Sequence, residues 1–115
     1  MIIKKTLALA AAAAVVASLA FSPAAQGGPR LDKIMAAKAT RGGTPGGYRP
    51  LAIKTDAGYS GHDIDVIETM AKELGVKIEY VPTTWPNLVK DLQGDKFDVA
   101  VGGITRNVNR MRIFD

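Results

Sequence analysis

Gly102-Gly103-Ile104-Thr105, followed by Asn107 and Arg110, is the stretch whose residue types best fit one chemistry, the grip of a small carboxylate. Two glycines after an apolar run leave backbone amides uncovered. The Thr105 hydroxyl adds a donor, and Asn107 can cap a helical turn that aims Arg110 back at them. A guanidinium presents paired N–H groups that match the two oxygens of a carboxylate. A plain surface arginine in a polar loop fits the same spacing, and the residues alone leave both readings open. Trp85, the single tryptophan, and Tyr48 are candidates for a flat wall against which a ligand side chain stacks. Core packing is the other reading for each.

Other constellations carry less. GGTPGG at 42–47 fits neither nucleotide-loop pattern, and Pro45 removes an amide that a phosphate cradle needs. A tight turn with backbone close to a ligand is the better reading of those glycines. His62 stands alone between Gly61 and Asp63, without the partner spacing of a ligand or a base. With one histidine, no cysteine and no clustered carboxylates, no metal or other cofactor is expected, and thiol chemistry is excluded. Basic and acidic residues are interspersed, with no basic stripe, which argues against nucleic acid as a partner.

The first 24 residues read as a secretory signal peptide. Lys4 and Lys5 precede an apolar run from Leu7 to Phe21, and small residues offer cleavage after Ala20 or Ala24. The run is shorter than the ~20 residues of a membrane span, so no stable membrane anchor is expected. Loss of the two leader lysines lowers the net charge from +4 to +2.

The elements that must position the candidates follow from periodicity. After a linker at 25–30, Leu31 to Ala39 reads as a short helix with Leu31, Ile34 and Met35 on one side. RGGTPGGYRP is expected to be an irregular loop around a short first strand, Leu51 to Lys54 a strand, and Asp56 to Gly58 a turn. Asp63 to Leu74 has Ile64, Ile67, Met70, Ala71 and Leu74 at helical spacing, with Asp63 as N-cap and Gly75 as the stop. Lys77 to Val81 alternates as a strand ended by Pro82. Pro86 is expected to open a helix through Leu92, closed by Gly94. Phe97 to Val101 is a mostly apolar strand. The series is a βαβαβ unit: an α/β lobe with a parallel sheet and helices on both faces. Ligands of such sheets sit beyond the C-terminal strand ends, where the loops 44–50, 82–85 and 102–110 converge.

On LDKI at 31–34, TPGGYRP at 44–50, GHDID at 61–65, VPTTWPNLVKDL at 81–92 and KFDVAVGGIT…R at 96–110, the chain resembles the periplasmic solute-binding proteins of the family 3 type, which serve amino-acid ABC transporters. PTTWPNL and GGIT also resemble a dehydratase subgroup built on that fold, the cyclohexadienyl (arogenate/prephenate) dehydratases. The resemblance implies two α/β lobes closing on a solute. Arg110 is expected to pair with its carboxylate, with Thr105 and the amide near Gly103 helping, and Tyr48 and Trp85 packing on its side chain. An inner-membrane ABC permease is the implied partner and the periplasm the implied location. Departures from the family pattern are Gly42 in place of a β-branched residue, Gly47 in place of an aspartate, and Leu51 and His62 in place of phenylalanines.

The family is about twice this length, in the usual range for two domains. Residues 31–115 are therefore expected to be a partial N-terminal lobe, truncated before the second, with an unpaired sheet edge and an exposed half-cleft. The leading expectation is a module that recognises a small amino or keto acid for a transporter. The alternatives are a prephenate/arogenate dehydratase fragment without its catalytic lobe, and an inactive truncated product.

Overall fold

The computed structural model describes residues 27–114; the expected signal peptide and the first residues of the expected linker lie outside the described residues. The elements are α1 (Pro29–Ala37), β1 (Ala39–Thr44), β2 (Gly47–Tyr48), β3 (Ala52–Thr55), β4 (Gly58–Ser60), α2 (His62–Leu74), β5 (Lys77–Pro82), α3 (Leu88–Gln93), β6 (Val99–Ala100) and α4 (Val108–Met111).

The parallel sheet has the order β5-β1-β6, so β1 is central. The expected βαβαβ unit is therefore β1-α2-β5-α3-β6, and its first strand runs straight through the glycines that the sequence placed in a loop. Packing explains the difference. A Cβ built on Gly42 meets Ile78 Cδ1 at 3.2 Å, and one built on Gly43 falls 2.5 Å from Phe97 Cδ2. Neighbouring side chains fill the space a larger residue would take, which offsets the low strand propensity of glycine. Gly42 thus faces one layer and Gly43 the other, as alternation along a strand demands.

On the Gly42 face, α2 and the strands packed with it form the core of Ala52, Ile64, Ile67 and Val101, with Tyr59, Ile78, Tyr80 and Val99 around it. Burying each large side chain contributes roughly 1.5–3 kcal/mol. Met70 and Leu74, expected on this face, remain exposed because nothing among the described residues covers the end of the apolar stripe. On the opposite face Phe97 and Leu88 are fully buried. Here α1 lies over the Arg41 side of β1, yet buries no residue. Leu31 and Met35, placed on one side of this helix, are exposed. Ion pairs tether α1 instead: Arg30 to Asp95 and Asp98, and Lys33 to Asp95. The helix begins at Pro29, so the expected linker boundary at residue 30 is too late.

A second sheet, antiparallel β2-β3-β4, follows β1 and was not expected beyond the 51–54 strand and its turn. Three further boundaries differ. The turn at 84–87 closes with Asn87 N donating to Thr84 O, so α3 starts at Leu88 rather than at Pro86. Residues 97–101 give only a two-residue ladder, although the amides of Asp98 and Val101 donate to Arg41 and Gly43 on either side of it. Among the described residues the outer edge of β6 has no strand partner. Asp63 is not the N-cap of α2; Gly61 is, with no side-chain cap bond.

Candidate functional site

Three segments meet at the C-terminal ends of the parallel strands: Pro45 to Tyr48 after β1, Thr83 to Asn87 after β5, and Val101 to Arg110 after β6. The first turn is held by the Thr44 hydroxyl, which accepts from the Gly46 amide at 3.1 Å. The second is fixed by the Thr83 amide donating to Thr44 O, and by the Thr83 hydroxyl donating to Asp91 at 2.7 Å. A Lys96 ion pair and, after it, that bond hold the Asp91 carboxyl below its ordinary range, so it stays ionised as an acceptor.

The Tyr48 and Trp85 rings meet edge to face, with centroids 6.2 Å apart. Both remain exposed, at 49% and 42%, so neither is the core residue that was the alternative for it. Two exposed aromatics from separate loops thus touch each other at this edge of the sheet.

The third segment turns sharply at Gly102 and Gly103, whose φ values of +123° and +69° favour glycine. A Cβ at Gly103 would collide with the Tyr48 ring and lie 2.6 Å from Leu51 Cδ1. The missing side chain therefore seats the tyrosine on bare backbone. Asn107 caps α4 as expected: its side chain accepts from the Arg110 amide at 2.9 Å. The Arg110 guanidinium donates through Nη1 to the Thr105 carbonyl at 2.9 Å, its one bond among the described residues. No other partner of the guanidinium lies among the described residues.

One expected donor is already engaged. The Gly103 amide donates to Asp63 Oδ2 at 2.7 Å rather than standing free. Nothing in the sequence signalled this bond, because forty residues separate its ends. His62 Nδ1 lies 3.0 Å from the other Asp63 oxygen, on an exposed ring, in keeping with a solvated histidine.

The five expected residues thus fall into two pairs joined by one turn: Tyr48 with Trp85, Thr105 with Arg110, and Gly103 between. A groove of about 890 Å³ coincides with only part of this site. It runs along the free edge of β6 past Val99, Ala100 and Phe114, and takes in Thr105 and Arg110 but neither aromatic. Its position is that of an open sheet edge, not of a pocket behind the aromatic pair. Among the described residues no helix is long and apolar enough to cross a membrane.

The sequence profile of the bacterial extracellular solute-binding proteins, family 3, matches residues 41–115. Cyclohexadienyl dehydratase of Pseudomonas aeruginosa is 43% identical over 84 residues, covering 72% of this chain and 31% of that protein. A probable amino-acid ABC transporter-binding protein of Haemophilus influenzae is 29% identical over 101 residues, covering 87% of this chain and 39% of that one. Among solved structures, an ancestral cyclohexadienyl dehydratase superposes with a TM-score of 0.70 at 50% identity, over 76% of this chain and 36% of its own. The arginine-bound domain 1 of a Thermotoga maritima arginine-binding protein gives 0.66 at 27%, over 70% and 65%. The chain spans about a third of the length of the curated relatives it matches. It belongs to the family 3 extracellular solute-binding proteins.

Proposed function

From membership of that family, we propose that this chain is the first lobe of an amino-acid-binding protein that holds its solute by the carboxylate. The observation that carries the reading is the Asn107-capped turn, which holds Arg110 beside Thr105 with a single guanidinium bond among the described residues. Arg110 pairs with the carboxylate, the Thr105 hydroxyl adds a donor, and Gly103 shapes the turn. Trp85 and Tyr48 flank the solute side chain. In such proteins affinity is completed when a second lobe closes over the solute. A single lobe therefore binds weakly, in the millimolar range, near −4 kcal/mol. The relative crystallised as an arginine-bound domain 1 supports measurable binding by one lobe. Residues 1–24 are read as a cleavable signal peptide that delivers residues 31–115 to the periplasm, with an inner-membrane ABC permease as partner.

A second reading is favoured by the 43% and 50% identities to cyclohexadienyl dehydratases. In it the same lobe holds prephenate or arogenate, and the group that drives loss of water and carbon dioxide belongs to the second lobe. Calorimetric titration of the chain with L-arginine, L-phenylalanine and prephenate tests the binding reading, with Arg110→Ala as control. Weak heats that vanish in the variant are expected, and binding unaffected by the variant refutes the role of Arg110. Phenylpyruvate formation from prephenate by this chain would overturn the assignment of the catalytic group to the other lobe.

A further inference from the structure

We propose that Asp63 is a positioning residue for this site: through the Gly103 amide it fixes the turn from which both the aromatic wall and the carboxylate-reading arginine project. The inference rests on the carboxylate-binding reading above, and it concerns a residue that never touches the solute.

Asp63 sits at the second residue of α2, where an aspartate ordinarily serves the free amides of the first turn. It does not do so here: the N-cap is Gly61, and α2 has no side-chain cap bond. The carboxylate turns outward instead, and its Oδ2 accepts from the Gly103 N–H at 2.7 Å, across to the loop after β6. Its backbone is pinned at the same time, because the Asp63 amide donates to Leu51 O at 2.9 Å. The acceptor is therefore anchored at both ends. A hydrogen bond to an ionised acceptor is about twice as strong as a neutral one. The His62 ring and the Gly103 amide hold the Asp63 carboxyl below its ordinary range, which keeps it ionised at neutral pH.

The turn it holds has two outputs. Gly103 supports the Tyr48 ring, which in turn meets Trp85 edge to face. Two residues later comes Thr105, whose carbonyl receives Arg110 Nη1. Without the Asp63 acceptor, positive φ at Gly102 and Gly103 leaves the turn free to rotate, and the two halves of the site lose their common reference.

The test compares the full chain with Asp63→Ala and Asp63→Asn, using the amide proton shift of Gly103, the near-ultraviolet circular dichroism of the Tyr48–Trp85 pair, and titration with L-phenylalanine. Alanine should move the Gly103 proton upfield, abolish the aromatic dichroism and cost about tenfold in affinity, the equivalent of ~1.4 kcal/mol. Asparagine keeps a neutral acceptor and should restore the dichroism, bring affinity within about threefold, and leave the Gly103 proton between the other two. A Gly103 shift and aromatic dichroism unchanged in both variants, with only helix content altered, overturns the proposal. If alanine prevents folding, the asparagine variant decides: a Gly103 shift identical to that of the parent chain refutes the bond. The spectroscopic readouts need no solute, so a chain that binds nothing refutes the functional reading while leaving the positioning role to be judged from them.

Discussion

Replacing Gly43 by alanine should unseat Phe97, and the size of the loss follows from distances. The new methyl carbon would stand 2.5 Å from Phe97 Cδ2, with two further ring atoms as close. Ordinary carbon contact is ~3.5–4.0 Å, so the ring or the strand must retreat by about 1 Å. Neither has room to do so: Phe97 is fully buried, and β1 is paired on both sides. Overpacking of this kind costs about 1–3 kcal/mol. In a domain of this size each 1 kcal/mol lowers Tm by roughly 4–8 °C, so a mid-range loss is about 8–16 °C. Thermal unfolding followed by circular dichroism measures it. Phe97→Leu in the Gly43→Ala background should recover part of the loss, because the smaller side chain vacates the site. A coupling of about 1 kcal/mol is expected between these touching positions. A Gly43→Ala chain melting within about 2 °C of its parent would refute the argument. So would strict additivity, since the glycine would then not be needed for the ring.

Asp98→Ala should cost about 1–3 kcal/mol, because its nearly buried carboxylate accepts from the Arg41 backbone amide and guanidinium and from Arg30, and the amide is left without an acceptor. Arg30→Ala, at a half-exposed position, should cost less than ~1 kcal/mol, and equal losses in urea titrations would contradict this ranking. The carboxyls of Asp63, Asp91, Asp95 and Asp98 are all held below their ordinary values by hydrogen bonds and ion pairs. Their folded-state preference for the ionised form is fully present above the unfolded value near ~4 and is lost as pH falls through the lower folded values. Melting temperature should therefore drop steeply below about pH 4, and a flat profile down to ~pH 2 would argue against these pairs. Tyr80 behaves oppositely: burial first, then the Glu68 hydrogen bond, raises its phenol, so its contribution is lost only as pH climbs above ~10. Gly47→Asp should change stability by less than ~0.5 kcal/mol, because a Cβ there meets nothing within 4 Å. A larger loss in thermal melts would place the 45–48 turn differently.

Much of this lobe is legible in the sequence, wherever a signal is local. The periodic face of α2 at Ile64, Ile67 and Ala71 is buried, Gly75 ends the helix at φ +69°, and Asn107 caps α4. What escaped reading depends on distant partners. Gly42 and Gly43 carry the composition of a turn, and only the side chains of Ile78, Val101 and Phe97 make them strand. Asp63 carries the composition of a cap, and only the turn at Gly103 draws it outward. Leu31 and Met35 share one side of α1, but charge rather than apolar burial docks the helix. The hairpin of β3 and β4 could have been found from AIKT and GYS on either side of the Asp56–Ala57 turn. Of the site, residue types pointed to the arginine and the aromatics. Their grouping around one glycine turn required the fold.

The most direct test is a titration of the isotope-labelled chain with L-phenylalanine and, separately, with L-phenylalaninol, which keeps the ring and amine but lacks the carboxylate. Amide and side-chain shifts are followed in two-dimensional proton–nitrogen spectra. The carboxylate-reading lobe predicts shifts at Gly103, Thr105, the Arg110 guanidinium and the Trp85 indole with the acid, saturating in the millimolar range, and little response to the alcohol. Equal responses to both compounds, or shifts confined to the groove beside Val99, Ala100 and Phe114, would contradict it.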